Sequence, residues 1–320
     1  MFFLKLRMFL LTLVLFGIIY SVVSMAAYAV GVSDINFYII FSVLLLFIQY
    51  MIGPKIVEWS MGVKYIKEGE QPELRTMVAN LARAAEIPVP RIGISEISLP
   101  NAFAFGRWKK DGRICVTRGI LNLVDRDELR AVLGHEMSHL KNRDVLTITL
   151  LSVIPFILYR IASSILFYRR RDDRSSGAIM LVGIAALILY FISNLLVLYA
   201  SRIREYFADR GSVKLGNSPH KLASALYKLV YGSARTPKEE LRQVEGLKAF
   251  FVNDPSSAIK ELSELRQLDL DKSGSIDSAE LFALNSKQLK LNFGDRLLEI
   301  LSTHPNMLKR IKQLSGYAKA

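Results

Sequence analysis

Four long stretches of this sequence carry almost no charge, and they restrict its possible folds more than any other feature. Met8 to Ser33 and Ile35 to Pro54 are free of charge. Val145 to Tyr168 is broken only by Arg160, and Ser175 to Ser201 lies between Arg174 and Arg202. Each run is about 20 residues or longer, and at roughly 1.5 Å rise per residue such a helix crosses a hydrocarbon core of about 30 Å. The alternative, four buried helices of a large soluble core, sits badly with the charge. The chain has 42 Lys+Arg against 29 Asp+Glu, a net charge of +13, yet 51% of its residues are hydrophobic. These facts agree if apolar residues are gathered into spans and charges into water-facing parts. Disorder is excluded by the apolar content. A lone Cys115 excludes an internal disulfide framework and a cysteine-built metal site.

Charge placement sets the expected topology. Lys5 and Arg7 precede the first run, no positive residue lies in Gly31 to Asp34, and Lys55 and Lys64 follow the second run. The positive-inside rule then puts the N-terminus and everything after Pro54 in the cytoplasm. Ala27-Tyr28-Ala29 resembles a signal-peptidase site, but the apolar part before it is longer than a signal peptide's, so it reads as an anchor. The third and fourth runs are joined by Arg169-Arg170-Arg171-Asp172-Asp173-Arg174, which conflicts with the rule if both runs span. A hairpin with an atypical loop is the favoured reading over two helices that penetrate partway, and it returns the chain to the same side.

Four segments follow: a two-helix anchor over 1–54, the first part of a catalytic domain over 55–144, a helical hairpin over 145–201, and the second part of the domain over 202–320. Residues 54–144 carry 15 basic and 12 acidic residues, and residues 202–320 carry 20 and 14. The excess positive charge is thus spread over faces next to an anionic leaflet. No segment has the clustered basic and aromatic pattern of a nucleic-acid groove, and the bilayer is the expected partner.

Directly before the third run stands Leu133-Gly134-His135-Glu136-Met137-Ser138-His139, an H-E-x-x-H pattern inside a helical stretch from near Asp127 through Leu140. Residues four apart share a helix face, so His135 and His139 can meet one zinc ion, with Glu136 reaching a water as general base. A hydrolytic zinc site needs a third protein ligand. Glu205, four residues past the fourth run, is the candidate, and Asp209 one turn on is suited to orient a histidine. A surface ion pair would be the ordinary reading of Glu205 among arginines, but the hairpin brings its helix back to the histidines. Both segments lie within roughly 10 Å of the membrane surface by helix rise, so membrane proteins or juxtamembrane peptides are the expected substrates.

With these residues the chain resembles the HtpX-type integral-membrane zinc endopeptidases, relatives of the CAAX prenyl proteases. The likeness covers the two N-terminal runs, Asn101 to Gly106, Val116 to Gly119, His135 to Asp144, the Glu205 helix and Ser302 to Pro305. It implies that Asn101, Ala102, Phe103 and Ala104 form an edge strand pairing with substrate. It implies too that His304 and Arg310 approach the zinc as an extra ligand or as donors to the developing oxyanion. Phe105 stands where the family more often has a small polar residue, and Asn306 where it often has a second proline. His220 reads as lying in a helix start, with Ser218 as cap and Pro219 in the first turn. The family role implied is quality control of misfolded or damaged membrane proteins under stress, in a multi-pass cell (inner) membrane enzyme with a cytoplasmic site.

One segment departs from the family. Asp269, Asp271, Ser273, Ser275, Asp277 and Glu280 fall on the oxygen-donor positions of an EF-hand calcium loop, with Gly274 at its sixth position. It is either a calcium or magnesium loop or an acidic helix–turn–helix with a glycine turn. If calcium binds, it is expected to shift the His304 segment, because the loop lies on the chain path to it.

The expected fold is mainly α and membrane-embedded: four transmembrane helices with a cytoplasmic, zincin-like α+β catalytic domain. A small strand element over Arg91–Ile94, Ala102–Phe105 and Arg113–Val116 lies against the active-site helix. The expected function is a zinc metalloendopeptidase holding one Zn2+ per chain. The rivals are a protease of prenylated C-termini, which needs a chamber among more spans, and a calcium-responsive scaffold, which has no need for Glu136.

Overall fold

The computed structural model of the chain describes residues 35–167, 176–237, 258–286 and 299–318. The first apolar run, expected as an anchor helix over 8–33, and the expected loop over 169–174 lie outside the described residues. Helix α1 (Ile35–Ser60) takes up the second run and continues through Pro54, leaving Ile40, Phe47 and Ile52 exposed.

Four strands and one helix follow: β1 (Lys64–Tyr65), α2 (Pro72–Ala85), β2 (Arg91–Ser95), β3 (Ala102–Phe105) and β4 (Arg113–Thr117). In α2, Leu74, Met77, Val78, Leu81 and Ala85 recur at helical spacing and form the buried face. The sheet order is β1-β2-β4-β3, with β2 and β4 parallel, Gly93 opposite Cys115, and β3 antiparallel to β4, Phe103 opposite Cys115. Strand β3 is therefore an edge. The three expected strands are present, β2 and β4 each one residue longer, and β1 is an addition too short to show a period in sequence.

Thr117 turns the sheet into the next helix. Its hydroxyl accepts from Ile120 N–H as the cap of α3 (Arg118–Leu123), and donates to the Leu99 carbonyl at 2.8 Å. Helix α4 (Arg126–Asn142) carries the H-E-x-x-H pattern and starts in a capping box: Asp125 accepts from Glu128 N–H, and Glu128 accepts from Asp125 N–H, both at 2.8 Å. The Glu128 carboxylate also receives Ser224 Oγ and Lys228 Nζ at 2.6 and 2.8 Å, locking this helix to a later one. At its end Arg143 adopts φ 57°, and α5 (Asp144–Phe167) begins at the next residue.

Helix α6 (Ser176–Lys214) is 39 residues long and packs along α5 and α4. Its stretch Met180–Lys214 is the one helix among the described residues that is long and apolar enough to cross a membrane by length and composition, and its apolar window is only 17% buried. A core helix would be covered. The contact of α4 with α6 depends on glycine. A Cβ at Gly134 would meet Asn217 Nδ2 and lie 2.8 Å from Ser212 Oγ, and one at Gly211 would run into the Ser138 side chain.

Helices α7 (Pro219–Arg235), α8 (Ala258–Leu265), α9 (Ser278–Ser286) and α10 (Met307–Ser315) complete the described fold. Leu222, Leu226, Leu229 and Val230 of α7 join Val78, Leu81, Ile114, Leu133, Met137, Ile311 and Leu314 in one buried core. Ser218 holds the N-cap position of α7 as expected, but its side chain makes no capping bond there; His220 Nδ1 instead lies 3.1 Å from Ser278 Oγ.

Candidate active site

His135 and His139, one turn apart on α4, turn their Nε2 atoms to a common point, 3.1 Å from each other. Glu205 on α6 faces the same point, Oε2 at 3.5 Å from His135 Nε2 and Oε1 at 3.5 Å from His139 Nε2. The three side chains offer ligand atoms all within 4.8 Å of one another. Each imidazole is held from behind by a carboxylate. Asp209 Oδ1 lies 2.8 Å from His135 Nδ1, and Asp144 Oδ2 lies 2.6 Å from His139 Nδ1. Nothing in the sequence marks Asp144 for this role. It reaches His139 because the left-handed Arg143 stops α4 and starts α5 beside its own last turn, where Arg204 pairs with it.

Burial and charge set the protonation states. Burial disfavours a charged imidazole at both histidines, but Asp209 and Glu205 overcome it at His135 and raise its pKa to about 9, whereas at His139 burial wins and the pKa falls. Glu136 is buried, which raises its pKa; the two imidazoles and the Ala104 backbone pull the other way. Glu205 is held well below the usual carboxylate range despite its burial, chiefly by Arg310 and then by His135.

Arg310 was expected at the zinc or the oxyanion. It is fully buried beside the metal cluster, on the Nδ1 side of His135. Its Nε and Nη2 donate to Asp209 Oδ2 and Oδ1 at 2.9 and 2.7 Å, and Nη1 lies 3.2 Å from Glu205 Oε2. His304, on the turn before α10, is half-buried, with its Nδ1 3.0 Å from Thr303 Oγ1. Arg202 of α6 pins that turn by donating to the carbonyls of Ile300 and Ser302 at 2.9 and 2.7 Å. Asn306 caps α10, its side chain accepting from Leu308 N–H.

A cavity of about 610 Å³ opens over these groups. It is lined by Ala102 to Gly106, His135, Glu136, His139, Asp144, Glu205, Thr303 and His304, together with Tyr50 and Pro54 of α1 and Val145, Ile148 and Ser152 of α5. Ala102, Phe103 and Ala104 thus line the cavity, and Asn101 does not. Asn101 is fully buried, its N–H donating to Thr117 Oγ1 at 2.8 Å and its carbonyl accepting from Thr117 N–H at 2.9 Å. Because neighbouring residues of an antiparallel strand point their backbone groups to opposite sides, Ala102 and Ala104 turn theirs away from β4, towards the free edge. The residues of the expected calcium loop do not line this cavity; they follow α8 and end in the first turn of α9.

Comparison with known proteins gives the family. The "Protease HtpX homolog" of Methanothermobacter thermautotrophicus is 57% identical over 227 residues, covering 71% of this chain and 86% of that one. That of Moorella thermoacetica is 35% identical over 315 residues, 96% of this chain and 92% of the other. Among solved structures, Ste24p of S. mikatae shares the fold with a TM-score of 0.51 at 17% identity, covering 95% of this chain and 67% of that one. The profile of peptidase family M48 matches residues 68–318. The chain belongs to peptidase family M48 and is a metalloprotease.

Proposed function

We propose that the protein is a zinc endopeptidase that cleaves membrane proteins or juxtamembrane peptides at the cytoplasmic face of the cell membrane. The convergence of His135, His139 and Glu205 below the free edge of β3 carries this reading. The donor set suits zinc: two imidazole nitrogens and a carboxylate, with both imidazoles oriented through Nδ1. Glu205 Oε2 is buried and held as a carboxylate by Arg310 Nη1 at 3.2 Å, which keeps an anionic oxygen at the point where the imidazoles converge. His135, His139 and Glu205 would hold the ion, with Asp209 and Asp144 fixing the imidazoles.

When bound, zinc supplies the positive charge that acidifies a water and polarises a carbonyl. The chain's own groups do the rest. The outward N–H and C=O groups of Ala102 and Ala104 extend the sheet by one substrate strand, which lays the scissile bond over Glu136. Glu136 takes the proton of the attacking water and passes it to the leaving amine nitrogen. His304, across the cavity, donates to the carbonyl oxygen as negative charge grows there. Arg310 is a positioning residue, acting through Asp209 and Glu205.

Four crossings, by the runs at 8–33, 35–54, 145–168 and 175–201, would leave both halves of the catalytic domain on the cytoplasmic side. The apolar walls that α1 and α5 give the cavity support substrates drawn from the bilayer, in keeping with quality control of damaged membrane proteins. A binding-only scaffold would leave Glu136 without a purpose. The test is Glu136→Gln in the full-length protein. It should retain about one zinc per chain while cleavage of casein or a membrane substrate falls by a factor of about a thousand or more. Unchanged cleavage by that variant would overturn the mechanism.

A further inference from the structure

The twelve residues from Asp269 to Glu280, which follow α8 and run into the first turn of α9, take no part in the protease site. Positive φ at Lys272 (57°) and Gly274 (79°) bends the chain twice, bringing oxygens of Asp269, Asp271 and Glu280 within 4.8 Å of one another. Ser273 Oγ and Ser275 Oγ lie 3.0 Å apart in the same loop. Acidic clusters on surfaces are common, and the deciding observation is Asp269. It is only 8% exposed, and its Oδ2 is held by Gly274 N–H at 3.0 Å and the Tyr227 hydroxyl at 3.1 Å. Its Oδ1 is buried and accepts no hydrogen bond. A carboxylate oxygen in that position is costly unless a cation meets it. The donors nearby are all oxygens, including the two of Glu280, which also accept the Leu270 and Asp277 N–H groups at 2.6 and 3.0 Å, a set that suits calcium and not zinc.

We propose that residues 269–280 bind one calcium ion, and that the bound ion fixes the helix carrying Arg310. The helices on either side of the loop both grip α10. Before the loop, Glu264 of α8 accepts from Asn306 Nδ2, the cap of α10, at 3.1 Å. After it, Lys312 of α10 donates to the carbonyls of Leu284 and Asn285 at the end of α9, both at 2.7 Å. Ile276, in the loop's centre, is buried in the core shared with Leu281, Leu284, Ile311 and Leu314. Between Asn306 and Lys312 stands Arg310, which holds Asp209 and through it His135. An ion that draws Asp269, Asp271 and Glu280 together therefore sets the angle between α8 and α9, and with it the seat of α10. The coupling rests on the zinc-site reading above; the calcium site does not.

The experiment uses full-length protein in detergent, zinc-loaded and freed of other metals, titrated with calcium or magnesium chloride in a calorimeter. One calcium per chain is expected, with a Kd between about 10⁻⁷ and 10⁻³ M and magnesium at least about 10-fold weaker. Asp271→Asn, at an exposed position that leaves the core intact, and Glu280→Gln should each weaken calcium binding about 10-fold or more. No calcium binding up to about 10 mM, or binding undiminished in both variants, would overturn the site. Transfer of zinc to a zinc-selective chelator reads the coupling. Calcium should slow it about 3-fold or more in the wild type and leave Asp271→Asn unaffected. Equal rates with and without calcium would overturn the coupling. A chain that held no zinc would refute the zinc-site reading instead, and leave the calcium titration standing.

Discussion

Arg310 and Asp209 meet in a two-pronged ion pair, at 2.9 and 2.7 Å, with neither side chain open to solvent. Asp209 also faces His135 Nδ1, so guanidinium, carboxylate and imidazole form one chain ending at the ligand atoms. Removing one member strands a buried charge, which costs about 3–5 kcal/mol. Arg310→Met is expected to lose stability of that order in denaturant melts of detergent-solubilised protein. Arg310→Lys should fall between it and the wild type, because an ammonium keeps the charge and gives up the fork. If Arg310→Met unfolded with the wild-type midpoint, the pair would have no structural role.

Asp144 does for His139 what Asp209 does for His135. Loss of such an outer partner usually weakens zinc binding about 10–100-fold. Asp144→Asn should show a drop in that range in competition with a chelator. An affinity equal to the wild type's would mean that His139 needs no orienting partner.

The free edge of β3 can be tested at one atom. Ala104→Pro removes the outward N–H, which also faces the Glu136 carboxylate, and spares the pairing of β3 with β4, since proline is tolerated on an edge. Cleavage efficiency on an extended peptide should fall about 10-fold or more, with little change in melting temperature. Equal loss of folding would refute the assignment of that N–H to the open edge.

Acid should reach the active-site helix through its cap. Although burial pushes the pKa of Asp125 up, hydrogen bonds from Lys221 and from Glu128 N–H bring it below its ordinary value. The folded pKa is the lower one, so this stabilisation is complete above the unfolded value and disappears as pH falls through the folded value. Asp125→Ala should cost about 1 kcal/mol near neutrality, and the gap to wild type should close in acid below about pH 4. A gap that widened on acidification would contradict the sign.

How much of this could be read beforehand followed from how local each feature is. H-E-x-x-H is a four-residue spacing on one helix, and helix geometry alone brings its two imidazoles together. Glu205 required only that the chain return to the same side. Asp144 was missed because its role depends on a single left-handed residue, Arg143, which nothing in the apolar pattern marks. Arg310 lies beside the ligands, but sequence carries no sign that it meets them through Asp209 and Glu205 and not from the cavity. Asn101 failed by strand parity: with its backbone bonded to Thr117, only the alternate residues Ala102 and Ala104 remain for a substrate. The close approach of α4 and α6 at Gly134 and Gly211 is a matter of two missing methyl groups, visible only once the helices are side by side.

The order in which the site's parts emerge during synthesis matters. The histidines come first, Glu205 and Asp209 follow after two apolar helices have been made, and Arg310 lies 175 residues beyond His135. A nascent chain that has exposed its H-E-x-x-H helix lacks the third ligand and the cation behind it. The cluster of His135, His139 and Glu205 therefore closes only once α6 has been made, and its guanidinium backing only once α10 has docked.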